Sequence, residues 1–347
     1  MREATADGRI DQPPASRDRL KPPAAIGRRF LVFVDTEEEF DWAAPRSRDA
    51  TATTAIAALP EAHRRLLGFG ICPTYLVDYP VASAPAAVEI LRPLMEAGEC
   101  AIGAQLHPWV NPPFDEALTV ANSFVGNLPL SMERAKLESL TSRIAVAFGK
   151  RPQVYRAGRY GIGPNTARLL EEAGYRLDVS VRALFDYSAE GGPDFSLRDA
   201  MPCWAGPQRL LIELPLTAVY TGFARGFGGR LYPAAGRVTR LRGLLARLGA
   251  LERIALTPEG TPLPDALRAI RTLLDDGAQL ISISFHSPSV EPGHTPYVRD
   301  AADLRAFYGW WDGVLGLLAR EGVEPIGADA LIAAAWAARD VGLKLAR

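Results

Sequence analysis

Helix-like and strand-like hydrophobic patterns alternate along most of this chain. In each unit, apolar residues at helical spacing lead to a glycine that suits the end of a helix, and a short run of strand-forming residues follows. Such units span residues 63–77, 88–105, 132–156, 166–181, 266–285 and 303–326. The alternation predicts parallel strands joined by crossover helices, and therefore an α/β fold.

The residues that follow the first predicted strand help to choose between two α/β architectures. The apolar run 31–34 ends in a cluster of carboxylates that begins with Asp35 and Glu37. An open dinucleotide-binding sheet needs a glycine-rich phosphate loop at this place, and these acids would repel phosphate. We therefore predict a (β/α) barrel, whose functional sites lie at the C-terminal ends of the strands.

The repeating pattern is interrupted between about residues 216 and 258. Several glycines precede a helix-like run over residues 237–251, and arginines are concentrated here. We interpret this part as an Arg-rich helical insertion with a solvated basic face, and a lid or a patch for an anionic partner is the functional alternative. The predicted organisation is a disordered leader over residues 1–27, a single barrel domain over 28–327 and a C-terminal helix over 328–347.

Length, charge and cysteine content narrow the class of protein. A chain of 347 residues with 48% hydrophobic and 23% charged residues has the composition of a globular protein. Its net charge of −1 favours neither nucleic acid nor an anionic membrane as partner. The 3 cysteines are far apart and lack metal-site spacing. Because residues 1–23 contain no apolar run, we expect no signal peptide, no membrane span and a cytoplasmic location.

Polar side chains with catalytic potential fall at or near the ends of the predicted strands. Only 4 histidines are present, and His107 and His286 both follow strands. In a barrel these strand ends converge on one mouth. The side chains expected to meet there are Asp35, Glu37, His107, Arg156, Arg159, Asp178 and His286.

These side chains could perform a metal-assisted hydrolysis of an amide or ester. Glu37 and His107 could hold a divalent cation, which lowers the pKa of a bound water. Asp35 could then take a proton from that water, while His286 protonates the leaving group. Arg156 could hold the Asp35 carboxylate by a bidentate pair.

Short polar motifs follow one another at residues 35–42, 73–82, 102–109, 155–161, 256–260 and 285–288. They resemble the motifs of the polysaccharide deacetylase superfamily with the NodB-homology domain, most closely its WalW-like branch, over about residues 28–325. The resemblance implies a distorted (β/α)7 barrel of the glycoside hydrolase/deacetylase type. It also implies a metal-dependent removal of N- or O-linked acetyl groups from carbohydrate.

The superfamily's first two motifs supply a base and metal ligands, and this chain departs from the second. Carried over, Asp35 matches the base and Glu37 the ligand, with Glu38 as a substitute. The usual histidine pair is absent, because one alignment places Gln105 and Trp109 at its positions with His107 between them. The other alignment starts at His107 and places Asn111 at the second position. The expected ligands of one divalent ion, zinc or similar, are therefore Glu37, His107 and Gln105.

The remaining motifs supply an arginine, an aspartate and a general acid. The resemblance matches Arg156, Asp178 and His286 to these roles. Aromatic residues near the strand ends are candidate sugar-stacking platforms, and polar residues nearby are candidate substrate contacts. The predicted substrate-binding side chains are Trp42, Trp109, Arg159, Tyr160, Asp178, His294 and Tyr297, whereas His63 is expected on a helix surface.

The sequence thus predicts a deacetylase-like hydrolase acting on an acetylated carbohydrate or related amide, with a homo-oligomer left open. One alternative is a degenerate, non-catalytic carbohydrate-binding member, because the metal histidine pair is incomplete. A second alternative is an amidohydrolase on a small non-sugar substrate.

Overall fold

The computed structural model describes residues 8–20, 22 and 26–345 of the chain. Its strands are β1 (Arg29–Thr36), β2 (Thr74–Val77), β3 (Ala101–Leu106), β4 (Val154–Ala157), β5 (Leu177–Asp178), β6 (Cys203–Ala205), β7 (Leu211–Glu213), β8 (Ala218–Thr221), β9 (Glu252–Ala255), β10 (Leu280–His286) and β11 (Glu324–Pro325). The main sheet has 9 strands in the order β10-β1-β2-β3-β4-β5-β7-β6, with β11 paired to β1. It curls into a half-barrel, so the α/β class predicted from the alternating pattern is confirmed.

Ten α-helices of the described chain accompany the strands, and several of them cover the outer face of the main sheet. They are α1 (Leu59–Gly68), α2 (Tyr79–Ser83), α3 (Pro85–Glu96), α4 (Leu130–Phe148), α5 (Thr166–Glu172), α6 (Gly228–Gly236), α7 (Leu241–Arg247), α8 (Leu263–Asp275), α9 (Ala301–Arg320) and α10 (Ala328–Leu345). Among the described residues, no helix is both long enough and apolar enough to cross a membrane.

Strand β1 lies between β10 and β2 in the sheet and is buried on both faces. Val32 and Val34 pack into the large core beneath the helices, whereas Leu31 and Phe33 pack into a second core inside the curl. Side chains of α10, including Leu331, fill the same inner core. A strand enclosed in this way must be apolar throughout, which is why its polar residues begin only at its C-terminal end.

The two ends of the curled sheet are joined by side chains rather than by a strand ladder. Beyond β7, the backbone N–H of Thr217 donates to Ser282 Oγ on β10 at 2.9 Å, and the N–H of Ser282 donates to Thr217 Oγ1 at 2.9 Å. We call this junction the seam. Strands β8 and β9 form a separate antiparallel pair directly after it.

The segment predicted as one insertion helix differs from the expectation. Residues 237–251 do not form one helix, because α6 ends at Gly236 and α7 covers only Leu241–Arg247. Between them Arg240 has a φ of 65°, a left-handed conformation that cannot continue a right-handed helix.

The predicted disordered leader also differs from the structure over residues 8–20. Ile10 is fully buried in the large core, and Leu20 is buried in the inner one. Arg209 Nε donates to the buried Asp18 at 2.6 Å. Polar and proline-rich composition suggested disorder, but two apolar side chains and one ion pair hold this segment on the domain.

Candidate active site

A cavity of about 210 Å³ opens at the C-terminal ends of the strands. The side chains predicted as catalytic or metal-binding line it: Asp35, Glu37, Gln105, His107, Arg156 and His286. Most of the predicted substrate contacts line it as well: Trp42, Trp109, Arg159, Tyr160 and Tyr297. Parallel pairing explains this convergence, because it places all strand ends at one edge of the sheet.

The strand register brings Asp35 to the centre of this cavity. Asp35 on β1 lies opposite His286 on β10, and its Oδ2 is 3.6 Å from His286 Nε2. Its other oxygen, Oδ1, accepts a hydrogen bond from Arg156 Nη1. All three side chains are largely buried. The arrangement therefore presents a carboxylate to the cavity between a guanidinium and an imidazole.

His286 is held by a second carboxylate, that of Glu259. The Nδ1 of His286 lies 2.7 Å from Glu259 Oε2, and its backbone N–H donates to Oε1 at 3.0 Å. Ser289 Oγ donates to the same oxygen at 2.6 Å. Burial acts to lower the pKa of His286, but the Glu259, Glu37 and Asp35 carboxylates outweigh it and raise the pKa to about 10. His286 is therefore an imidazolium at neutral pH, with Nε2–H directed towards Asp35.

Glu37, Gln105 and His107 meet next to this pair. Gln105 Nε2 donates to Glu37 Oε2 at 2.9 Å and lies 3.1 Å from His107 Nε2, and Glu37 Oε2 is 3.5 Å from that nitrogen. Burial is the main cause that raises the pKa of Glu37 to about 7. Glu37 Oε1 and Gln105 Oε1 are buried and have no hydrogen-bond partner within the described part of the chain. A buried acceptor without a partner costs free energy, and a divalent cation bound by these oxygens would remove that cost. The trio therefore fits a divalent cation.

A layer of acids lies beneath the trio and orients it. Glu38 accepts hydrogen bonds from Trp109 Nε1 at 2.7 Å and lies 2.7 Å from His107 Nδ1. Asp78 accepts from the N–H groups of Glu38 and Val81, each at 2.7 Å. Burial raises the pKa of Glu38 to about 8 and that of Asp78 well above its usual range. The contact of Nδ1 with Glu38 leaves His107 Nε2 directed towards Glu37. At metal sites, a carboxylate behind a histidine ligand orients the imidazole in the same way.

Glu38, Asp78 and His107 also have ligand atoms close enough to hold a cation together. Glu38 and Asp78 do not line the cavity, however, and their oxygens already accept hydrogen bonds. Glu38 as a substitute ligand is therefore less suited than Glu37.

Several predicted residues do not reach the cavity. Asp178 is buried behind it, where Ser180 Oγ donates to its carboxylate at 2.6 Å and Glu213 lies opposite on β7. His294 lies outside, with Nδ1 3.2 Å from Glu39. Asn111 is buried and donates to backbone carbonyls. Neither Asp178 nor His294 lines the cavity, so their role as substrate contacts stays a prediction that this geometry does not support.

His63 also differs from its expected surface position. It lies on α1 but is buried, and its Nδ1 is 2.9 Å from Tyr75 Oη. The two arginines that follow it suggested an exposed face, but Ala62, His63 and Leu66 form the buried face of this amphipathic helix, whereas Arg64 and Arg65 are exposed.

Sequence reasoning missed cavity residues that come from loops. Glu259 follows β9 within one of the motifs, so its position after a strand was an available signal. Arg46, Arg182 and Glu190 lie outside the main helices and strands, Glu190 at the end of a short 3-10 helix, and no recognisable motif contains them. Only the folded chain brings them to the cavity.

Fold and site together define an α/β protein with a half-barrel sheet and a buried acid, imidazole and guanidinium cluster at its strand ends. No protein-family model matches the sequence, and no curated protein is significantly similar to it.

Solved structures with related folds come from several enzyme groups. A candidate polysaccharide deacetylase from Mycobacterium smegmatis shares 18% identity over 90% of this chain and 96% of its own, with a TM-score of 0.44. A CE4 family pseudoenzyme from Bacillus anthracis shares 7% identity over 91% and 68%, with a TM-score of 0.43. A 4-alpha-glucanotransferase from Thermococcus litoralis shares 12% identity over 88% and 40%, with a TM-score of 0.50. At these identities the likeness concerns the fold alone.

Proposed function

We propose that this protein is a metal-dependent hydrolase that removes N- or O-linked acetyl groups from a carbohydrate or a related amide. The observation that carries the proposal is the Asp35 carboxylate, which lies between Arg156 and His286 at one wall of a cavity. The motif resemblance to polysaccharide deacetylases supports the same reaction. The WalW-like branch, the choice of zinc and a cytoplasmic location are part of this proposal.

Asp35 would act as the general base. The Arg156 guanidinium holds one of its oxygens, Oδ1, and Oδ2 is left to accept a proton from an attacking water. Arg156 also fixes the direction of the carboxylate, because its Nε donates to the backbone carbonyl of Val179 at 3.2 Å.

His286 would act as the general acid. Its Nε2–H could pass a proton to the departing nitrogen or oxygen, and Glu259 would stabilise the imidazolium until then. A base and an acid of opposite charge at 3.6 Å can serve both halves of a hydrolysis.

Glu37, His107 and the amide oxygen of Gln105 would hold the cation. When bound, a divalent ion supplies a polarised acetyl carbonyl and a water of lowered pKa. His107 is suited to this role because burial lowers its pKa and keeps it neutral. Its ring is stacked on Trp109 with centroids 4.4 Å apart, which restricts rotation.

Aromatic side chains would bind the sugar. Trp42 forms an edge contact with Tyr297, with ring centroids 5.7 Å apart, and both line the cavity. Trp109 is buried against His107, so its role is to support the site rather than to offer an exposed ring.

Acetate release from a panel of acetylated mono- and oligosaccharides tests the reaction. We expect Asp35→Asn and His286→Gln to lower kcat by about 10²- to 10⁴-fold, the usual contribution of a general acid or base. His294→Gln is the matched control, because this histidine lies outside the cavity. If both cavity variants keep the rate of the unchanged protein on an accepted substrate, the acid and base assignment is wrong.

One observation favours a second candidate, a carbohydrate-binding protein without catalysis. The Gln105 amide nitrogen already donates to Glu37 and contacts His107, which places a neutral donor between two expected ligands. Metal analysis of the purified protein separates the two candidates. The hydrolase is supported if the protein contains a divalent ion that is lost in Glu37→Ala and His107→Ala. The binding protein is supported if no ion is present and both variants keep the stability of the unchanged protein.

A further inference from the structure

The cavity contains more cationic than anionic side chains. Its charged side chains form three partnered sets, in which Arg156 faces Asp35, Arg159 faces Glu190 and His286 faces Glu259. The charged side chains that do not belong to these sets are one acid, Glu37, and two bases, Arg46 and Arg182. A bound divalent cation at Glu37 would increase the positive excess further.

Arg46 lies in the cavity wall without an acidic partner. No carboxylate oxygen of the described residues lies within ion-pair distance of its guanidinium, and its Nη1 is buried without a hydrogen-bond partner there. Two aromatic faces hold the group in place, since its Cζ is 4.5 Å from the ring centre of Phe40 and 5.2 Å from that of Trp109. Burial is the main cause that lowers the pKa of Arg46, and the charge of Arg159 adds to it. The more distant carboxylates Glu37, Glu38 and Glu190 act in the opposite direction without offsetting it.

Arg182 is similarly placed on another wall. Its Nη1 donates to Tyr187 Oη at 3.3 Å, and no acid of the described chain pairs with it. Its Cζ is 4.0 Å from the ring centre of Phe185, and Arg253 lies against the same ring at 3.5 Å. Phe185 therefore contacts two guanidinium groups, which adds positive potential on this side.

The backbone between these walls is held in an unfavourable conformation. Arg159 and Tyr160 have φ angles of 54° and 59°, in the left-handed region that non-glycine residues rarely adopt. Both side chains line the cavity, and Arg159 donates to Ser123 and Glu190. Backbone strain at two successive cavity residues is typical of a binding site whose side chains must be directed inwards.

Arg46 and Arg182 are partly buried, and a guanidinium in this position with no carboxylate at ion-pair distance is suited to a ligand that supplies the negative charge. Arg46 and Arg182 have aromatic support and unused N–H groups, which are the features of an anion-binding arginine. We propose that the sugar bound in this cavity carries an anionic group, a carboxylate or a phosphate ester, and that Arg46 and Arg182 bind it. The sugar part of this inference rests on the proposed function, whereas the anion part rests on the arginines alone.

Calorimetric titration with glucose, glucuronate and glucose 6-phosphate tests the inference. None of these probes carries an acetyl group, so binding can be observed even if the protein does not deacetylate anything. We expect at least one anionic sugar to bind at least about tenfold more tightly than glucose, as one charge-assisted hydrogen bond would allow. The tighter of the two anionic sugars identifies carboxylate or phosphate as the recognised group.

Variants assign the preference to the two arginines. Arg46→Gln and Arg182→Gln should each reduce the preference for the anionic sugar about tenfold, while Arg46→Lys should retain part of it. Arg237→Gln is the matched control, because Arg237 is exposed and outside the cavity. Thermal unfolding identifies any variant that fails to fold. If Arg182→Gln does not fold, the result for Arg46→Gln decides the inference, because Arg46 lies in an irregular, partly exposed segment where a substitution disturbs folding little. Equal affinity for all three sugars, or an unchanged preference in the folded glutamine variants, would overturn the inference.

Discussion

Glu259 gives His286 its charge, and this pairing can be tested by the pH at which the histidine titrates. In Glu259→Gln the imidazolium loses its closest carboxylate, so we expect the pKa of His286 to fall from about 10 towards its ordinary value of 6.5. Titration of the His286 ring protons by NMR measures the change. The signal of His294, which pairs with Glu39 and Glu291, serves as the internal control.

The same pair links stability to pH. A raised pKa in the folded state stabilises the protein fully at pH below 6.5, and this contribution is lost as the pH rises through about 10. Urea unfolding across this range should therefore show a smaller pH-dependent decline in Glu259→Gln than in the unchanged protein. An identical decline in both proteins would contradict the assignment of Glu259 as the main partner of His286.

At the scale of elements, the turn after β4 supports the predicted metal ligand on the neighbouring strand. Gly158 begins this turn, and a Cβ at its position would lie 2.2 Å from His107 Cδ2 and 2.8 Å from the Leu106 carbonyl oxygen. Gly158→Ala must therefore displace His107 or the β3 backbone. We expect it to destabilise the protein by about 1–3 kcal/mol and to weaken divalent-ion binding.

Chemical denaturation and metal titration measure these two effects. Gly226→Ala is the control, because a Cβ there meets no atom within 4 Å and its backbone is not left-handed. Metal affinity equal to that of the unchanged protein in Gly158→Ala would show that this close contact does not position His107.

The strands and their polar ends could be predicted from sequence because both depend on local patterns. A strand buried on two faces has few charged side chains, so the charged residue that closes an apolar run marks its end, as Asp35 and His286 do. Asp178 departs from this pattern because the chain remains extended beyond it, with the Val179 N–H bonded to the Tyr155 carbonyl at 2.9 Å. Its side chain therefore lies below the strand end rather than at it.

Other features depend on contacts between distant segments, and no local pattern reports them. Glu259 reaches His286 from 27 positions away, where the chain after β9 lies beside β10 and the Ser284 N–H donates to the Leu256 carbonyl at 3.4 Å. Arg46 and Arg182 come from irregular segments whose path is set by packing. The sequence also did not indicate that Glu38 is a buried support, which lies 2.7 Å from His107 Nδ1 and accepts a hydrogen bond from Trp109.

For the molecule as a whole, the N-terminal segment is part of the folded domain. Ile10 is fully buried in the main core, so Ile10→Ala removes apolar contacts and leaves a cavity. We expect a loss of about 2–5 kcal/mol in the free energy of unfolding, measured in urea. Leu197→Ala, at a position that is 74% exposed, should change stability little. A negligible effect of Ile10→Ala would mean that residues 8–20 contribute little to the core.

The seam is expected to be the part of the main sheet that opens most easily by local fluctuation. Central strands such as β1 are bonded on both sides by backbone ladders, whereas Thr217 and Ser282 join the sheet ends through hydroxyl groups. Hydrogen–deuterium exchange should therefore be faster for residues 215–219 and 280–284 than for 30–35, and faster still in Thr217→Val. Uniform protection of all three segments would contradict this expectation. Thr217 also lines the cavity. Local opening of the seam would therefore widen the cavity for a short time and let bulky ligands enter.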